Sequence, residues 1–148
     1  MNPGIARARI AARWVLAVLY LAAGIVHLVA PATFMPIMPD WVPFPWQVIL
    51  VTGACEIAGA AGLLVPKLRR AAGIGLALYA VCVLPANLKH AFSGLPAGQI
   101  QLGWWYHGPR LAFQPVLVWW ALFAGTVVDW PFGRWLQRPV EPVSRPGA

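Results

Sequence analysis

An all-α integral membrane protein, built as a bundle of four transmembrane helices, is the fold this sequence predicts. Three observations carry the prediction. The 148-residue chain is 60% hydrophobic and only 10% charged, against about 25% charged residues in an ordinary soluble domain. Its apolar residues gather in four runs near the length that a hydrocarbon core of ~30 Å requires. Its basic residues fall between those runs with a strong bias to one side. A chain of this length makes one domain, here a membrane domain over residues 1–138.

The four spans are read at about Trp14–Ala30, Trp46–Val65, Ala71–His90 and Leu111–Trp130. Arginines precede the first, and proline and charge close each of the others. The arginines, the apolar run and "APA" at Ala30–Ala32 also fit a signal peptide. That run is longer than a usual h-region and contains Tyr20 and His27, so it is read as a span. The second begins after Pro31–Pro45, whose five prolines exclude regular α-helix. A tight basic turn, "PKLRR" (Pro66–Arg70), joins the second span to the third. Pro85 frees the Val81 carbonyl within the third and is expected to bend it near Asn87. After the fourth, the proline-rich "PVEPVSRPGA" (residues 139–148) has nothing to bury and reads as a disordered tail.

Lysine and arginine set the direction. Nine of them (Arg7, Arg9, Arg13; Lys67, Arg69, Arg70; Arg134, Arg138, Arg145) lie on one side and two, Lys89 and Arg110, on the other. This places both termini in the cytoplasm and the proline-rich loop outside, with a bacterial inner membrane as the expected location. Trp14, Trp130 and Trp135 mark the inner boundary, and Trp41, Trp46, Trp104 and Trp105 the outer. Trp119 and Trp120 fall within the fourth span and are assigned to lipid or helix packing. The net charge of +7 thus reports membrane orientation; no basic stripe with interleaved aromatics points to nucleic acid. Cys55 and Cys82 form no C-x-x-C pair and read as buried, inert thiols.

Glu56 is one of only four acidic residues, yet it sits in "GACEIAG", roughly 14 Å below the outer end of the second span and near mid-bilayer. Its helical neighbours Thr52, Gly53, Gly59 and Ala60 form the small-residue face, which packs against other helices, so the carboxylate points inward. The other spans supply His27, Asn87, His90 and Gln114, all in the outer half. Helical side chains lean toward their own N-terminus. Glu56 therefore leans outward while His27 and Asn87 lean inward, toward one depth. A ligand-binding set of His27, Glu56, Asn87, His90 and Gln114 follows, because ionisable residues in lipid are costly and are functional candidates by default. The same residues can also serve only to fasten helices together. Lys89, His107 and Arg110 read as markers of the water boundary. Neither H-x-x-x-H nor E-x-x-H occurs, so no metal site is expected.

"GIVHLVAPATFMPIMPDWVPFP" (Gly24–Pro45), "TGACEIAGAAGLLVPKLRRAAGIGL" (Thr52–Leu76) and "LPANLKHAF" (Leu84–Phe92) together resemble the DoxX-like family of small four-helix membrane proteins. A weaker echo lies at Arg110–Ala121. The resemblance implies an accessory membrane subunit associated with quinone-linked redox complexes, not an autonomous enzyme. A quinone is the implied small molecule, and a redox membrane complex or a homo-oligomer the implied partner. An assembly or maturation factor, with the buried polar residues as internal struts, is the alternative. A small transporter is the third reading; the nearly featureless inner half argues against a continuous path.

Overall fold

Proline and glycine set the helix limits in this chain. The computed structural model describes residues 3–93 and 103–132, and every regular element among them is helical. Five α-helices run in order: α1 Pro3–Val29, α2 Pro45–Leu64, α3 Arg69–Cys82, α4 Leu84–Ser93 and α5 Trp104–Ala124. A 3-10 helix, Pro31–Ile37, lies in the loop between α1 and α2. That loop is therefore not α-helix, as its prolines require, but neither is it irregular throughout. Pro45 opens α2 at a position where a missing N–H costs nothing.

Three segments are long and apolar enough to cross a membrane: Pro3–Val29, Pro45–Leu64 and Arg69–Ser93. Only 28%, 33% and 28% of these apolar windows is buried within the protein. The rest is a coat of exposed side chains such as Val18, Val51 and Leu78, far more than a water-soluble surface carries. The first two helices match the predicted spans, although α1 starts well before Trp14. The third span is two helices, because Pro85 has no N–H to continue the ladder and the chain breaks at Val83 between α3 and α4. Where a fourth span is expected, the helix begins at Trp104, passes Pro109 and Pro115, and ends at Ala124 instead of Trp130. Its polar first turns leave it outside the three most apolar segments. The 139–148 tail lies outside the described residues, as do Arg134, Trp135 and Arg138.

Helices α1, α2, α3 and α5 pack in cyclic order, each against the next, with α1–α2 the most extensive pairing. Leu16, Leu63, Leu76 and Ala121 fill the centre. Arginine closes the helix ends, whose last carbonyls have no intrahelical donor. Arg13 Nε of α1 donates to the Ala124 carbonyl of α5 at 2.9 Å, and Arg69 Nε donates to Leu63 O of α2 at 3.1 Å. A cation at a helix C-terminus also meets the negative end of the macrodipole. Arg9 pairs with Asp129 at 2.5 Å just beyond α5. Both mid-span tryptophans find acceptors: Trp120 Nε1 donates to Ala12 O, which ties α5 to α1, and Trp119 Nε1 donates to Trp130 O, each at 2.9 Å. The cysteines depart from expectation. Cys55 and Cys82 are both exposed, on helix faces that the core does not use.

Close backbone approach makes Gly73 the most constrained position of α3. A Cβ there would lie 2.7 Å from Gly125 Cα and 2.8 Å from the Ala121 carbonyl oxygen, both backbone atoms. At Gly75, one half-turn away, a Cβ meets nothing within 4 Å. Gly73→Ala is expected to destabilise by about 1–3 kcal/mol through overpacking. Gly75→Ala should leave stability unchanged or slightly raised. Thermal unfolding of the purified variants in detergent measures the contrast; equal melting temperatures would contradict this α3–α5 contact.

Candidate functional site

The α1–α2 contact is set by two glycines. A Cβ on Gly24 would lie 2.7 Å from the Gly53 carbonyl oxygen, and one on Gly53 would lie 2.7 Å from His27 Cβ. With no side chains between them the backbones close up, and His27 of α1 comes beside Glu56 of α2. His27 Nδ1 stands 2.9 Å from Glu56 Oε2 and 2.9 Å from the Ala23 carbonyl oxygen. A carbonyl can only accept, so Nδ1 carries a proton. One N–H cannot be aimed fully at two acceptors, and Glu56 Oε2 is left buried without a well-directed donor. Glu56 itself is 3% exposed. Tyr79 of α3 lines the same cavity as this carboxylate, and Tyr20 packs edge-on against Tyr79 with centroids 6.0 Å apart. Phe34 of the 3-10 helix stacks on the His27 imidazole at 3.9 Å and 13°.

A second polar group joins α4 to α5. The break at Val83 starts a new helix that presents Asn87 and His90 on one face, while Arg110 and Gln114 share a face of α5. Gln114 Nε2 donates to the Ala80 carbonyl at 2.5 Å, and its oxygen accepts from Asn87 Nδ2 at 3.2 Å. Asn87 Oδ1 accepts from Arg110 Nη2 at 2.6 Å. Arg110 Nη1 lies 2.8 Å from His90 Nδ1. Arginine keeps its protons, so this ring nitrogen is the acceptor and the histidine proton sits on Nε2. His90 Nε2 and His107 Nδ1 are buried with no partner among the described residues.

Both groups face one partly open cavity of about 760 Å³. This is within the range that holds small ligands, ~300–1,000 Å³. Most of its wall is apolar, from α1, α2, α5 and the loop, and its polar points come from the two groups above. The loop covers one side through Phe34, Ile37, Met38 and Trp41. Lys89 of α4 holds it there, donating to Met38 O and pairing with Asp40, each at 2.6 Å.

Of the residues selected from sequence, His27, Glu56, Asn87 and Gln114 line this cavity. His90 does not; it stands behind Arg110. The single point of convergence expected for Glu56, His27 and Asn87 is instead two clusters, because Asn87 turns to α5 while His27 is drawn to α2 by the glycine contact. Three supposed boundary markers are more than that. His107 is buried at 5% exposure, Lys89 anchors the loop, and Arg110 is part of the cavity wall. Tyr20, Tyr79 and Phe34 had no sequence signal, since aromatic residues in apolar runs read as core. Among the described residues no three His, Cys, Asp or Glu side chains come together as a metal cluster.

Two measurements test these clusters. A double-mutant cycle of His27→Phe and Glu56→Met should give a coupling of about 0.6 kcal/mol or more; strict additivity of the unfolding free energies would mean no energetic pairing. Gln114→Leu strands the Asn87 amide and the Ala80 carbonyl in a buried setting and should cost about 1–3 kcal/mol in the same assay.

No curated protein and no solved structure matches this chain. A family match does exist, and it extends over the whole arrangement just described, from Leu16 in the core to Gly125 at the end of α5. On that match, covering residues 16–125, the chain belongs to the family described as a domain of unknown function, DUF8561.

Proposed function

We propose that this is an integral membrane protein of four crossings, with α3 and α4 together making the third, both termini in the cytoplasm and the Pro31–Pro45 loop outside. In this reading the cavity takes a small amphipathic molecule from the outer half of the bilayer. The observation that supports it most is a single one: one cavity of ligand size touches both the His27–Glu56 pair and the Asn87–Gln114–Arg110 chain. An apolar wall with a few convergent polar groups is the usual composition of a small-molecule site. The loop held by Lys89 acts as its cover. The DoxX-like resemblance adds a context, an accessory subunit beside quinone-linked redox chemistry, with a quinone head hydrogen-bonded at His27 and Glu56.

A second reading has its own support. Gln114 is satisfied at both ends, by Asn87 and by Ala80 O, as a purely structural strut would be. An assembly factor that docks a partner protein would use the polar chain in that way. It would have no need of the cavity.

Saturable quenching of tryptophan fluorescence by a short-chain quinone analogue separates the two, with Trp41 in the cavity wall as reporter. The expected result is saturable binding by the wild-type protein, weakened about tenfold in Glu56→Leu. Identical non-saturable behaviour of both proteins sinks the quinone assignment. For the topology, a cysteine placed in the Pro31–Pro45 loop should react with a membrane-impermeant maleimide in intact cells, and one placed at Lys67 should not. The reverse labelling pattern overturns the orientation.

A further inference from the structure

The chain has four acidic side chains, and three of them already have cations or a histidine beside them. Asp40 pairs with Lys89, Glu56 with His27 and Asp129 with Arg9. The fourth, Glu141, lies outside the described residues. Arg110 has no carboxylate within ion-pair distance among the described residues. It is nevertheless a half-buried part of the cavity wall. Its partners are neutral: His90 Nδ1, Asn87 Oδ1 and, at 5.9 Å, the face of the Tyr106 ring. Neutral acceptors orient a guanidinium without cancelling its charge, and a cation between membrane helices needs compensation. Asn87 and His90 use one N–H on each terminal nitrogen. The remaining donors form a planar fork that matches carboxylate and phosphate oxygens.

We infer that the occupant of the cavity is a single-chain amphiphile with an anionic head, a carboxylate or a phosphate, that pairs with Arg110. This rests on the reading of the cavity as an amphiphile site and goes beyond it by fixing the charge of the head. Asn87 and His90 are positioning residues: each takes one guanidinium N–H and holds the fork in one plane. The alkyl chain lies along the apolar wall toward Leu117. A neutral quinone head leaves the Arg110 charge uncompensated, so the two ligand classes differ at this one residue.

The test uses the full-length protein in nanodiscs of zwitterionic phosphatidylcholine, with dodecanoate, dodecyl phosphate, dodecanol, inorganic phosphate and a short-chain quinone analogue as probes. Binding is followed by tryptophan fluorescence. Dodecanoate or dodecyl phosphate should bind at least about tenfold more tightly than dodecanol, which has the same tail. Arg110→Gln should abolish that difference, and Arg110→Lys, which keeps the charge but not the planar fork, should retain only part of it. The unfolding temperature of each variant is measured in parallel, and Arg110→Met, which also removes the charge, carries the comparison if the Gln variant does not fold. Equal affinity for the charged and neutral probes overturns the inference and leaves the amphiphile site standing, as does an anionic preference that survives Arg110→Gln. Inorganic phosphate binding as tightly as dodecyl phosphate assigns a free anion and overturns the amphiphile. If none of the probes binds, the quinone analogue included, the cavity is no ligand site and both readings fall.

Discussion

The contact between Gly24 and Gly53 is the constraint on which the rest of this structure depends. Lipid provides no strong hydrophobic drive between helices, so close association rests on backbones that can approach without side chains in the way. Here a methyl group on Gly24 would collide with the Gly53 carbonyl oxygen, and one on Gly53 with His27 Cβ. The approach brings His27 against Glu56, and without it the carboxylate would have to find a partner in hydrocarbon. Packing and polar chemistry are thus one requirement at this point.

A scarcity of acids shapes the remainder. A chain with eleven basic and four acidic residues cannot pair all of its cations by salt bridges, and several turn to backbone carbonyls. Arg13 and Arg69 cap the ends of α5 and α2, where orphan carbonyls and the helix dipole both favour a cation. Lys89 uses Met38 O as well as Asp40. The same residues that would report orientation to the cytoplasm therefore also terminate helices. Among the described residues Arg110 meets neither a helix end nor a carboxylate, only side chains without charge.

Much of the helical layout was legible from residues alone, because apolar runs and prolines act locally. Pro45 and the basic turn set the limits of α2 to within one residue. The inward turn of Glu56 followed from its small neighbours. The start of α5 was not legible, since "WWYHGPR" is too polar to count as a span and Pro109 argues against helix; the helix accommodates it within its first two turns. Nor could the division of the polar residues be read. Which of His27 and Asn87 reaches Glu56 depends on how the helices pair across the bundle, and that pairing is fixed by the glycines of α1 and α2 together with the Ala80–Gln114 bond. The exposed cysteines reflect a related ambiguity: in a lipid-facing chain, apolar sequence does not distinguish core from perimeter.

Lys89 sits on α4 between Asn87 and His90, and it holds the loop by the Met38 carbonyl. Loop and polar chain therefore share one short, ten-residue helix, which follows α3 across the break at Val83. Any swing of that helix that unclasps the loop also tilts the amide and imidazole that steady Arg110. The rim and the base of the cavity are thus geared to a single lever, so the position of the loop and the setting of Arg110 are coupled through α4.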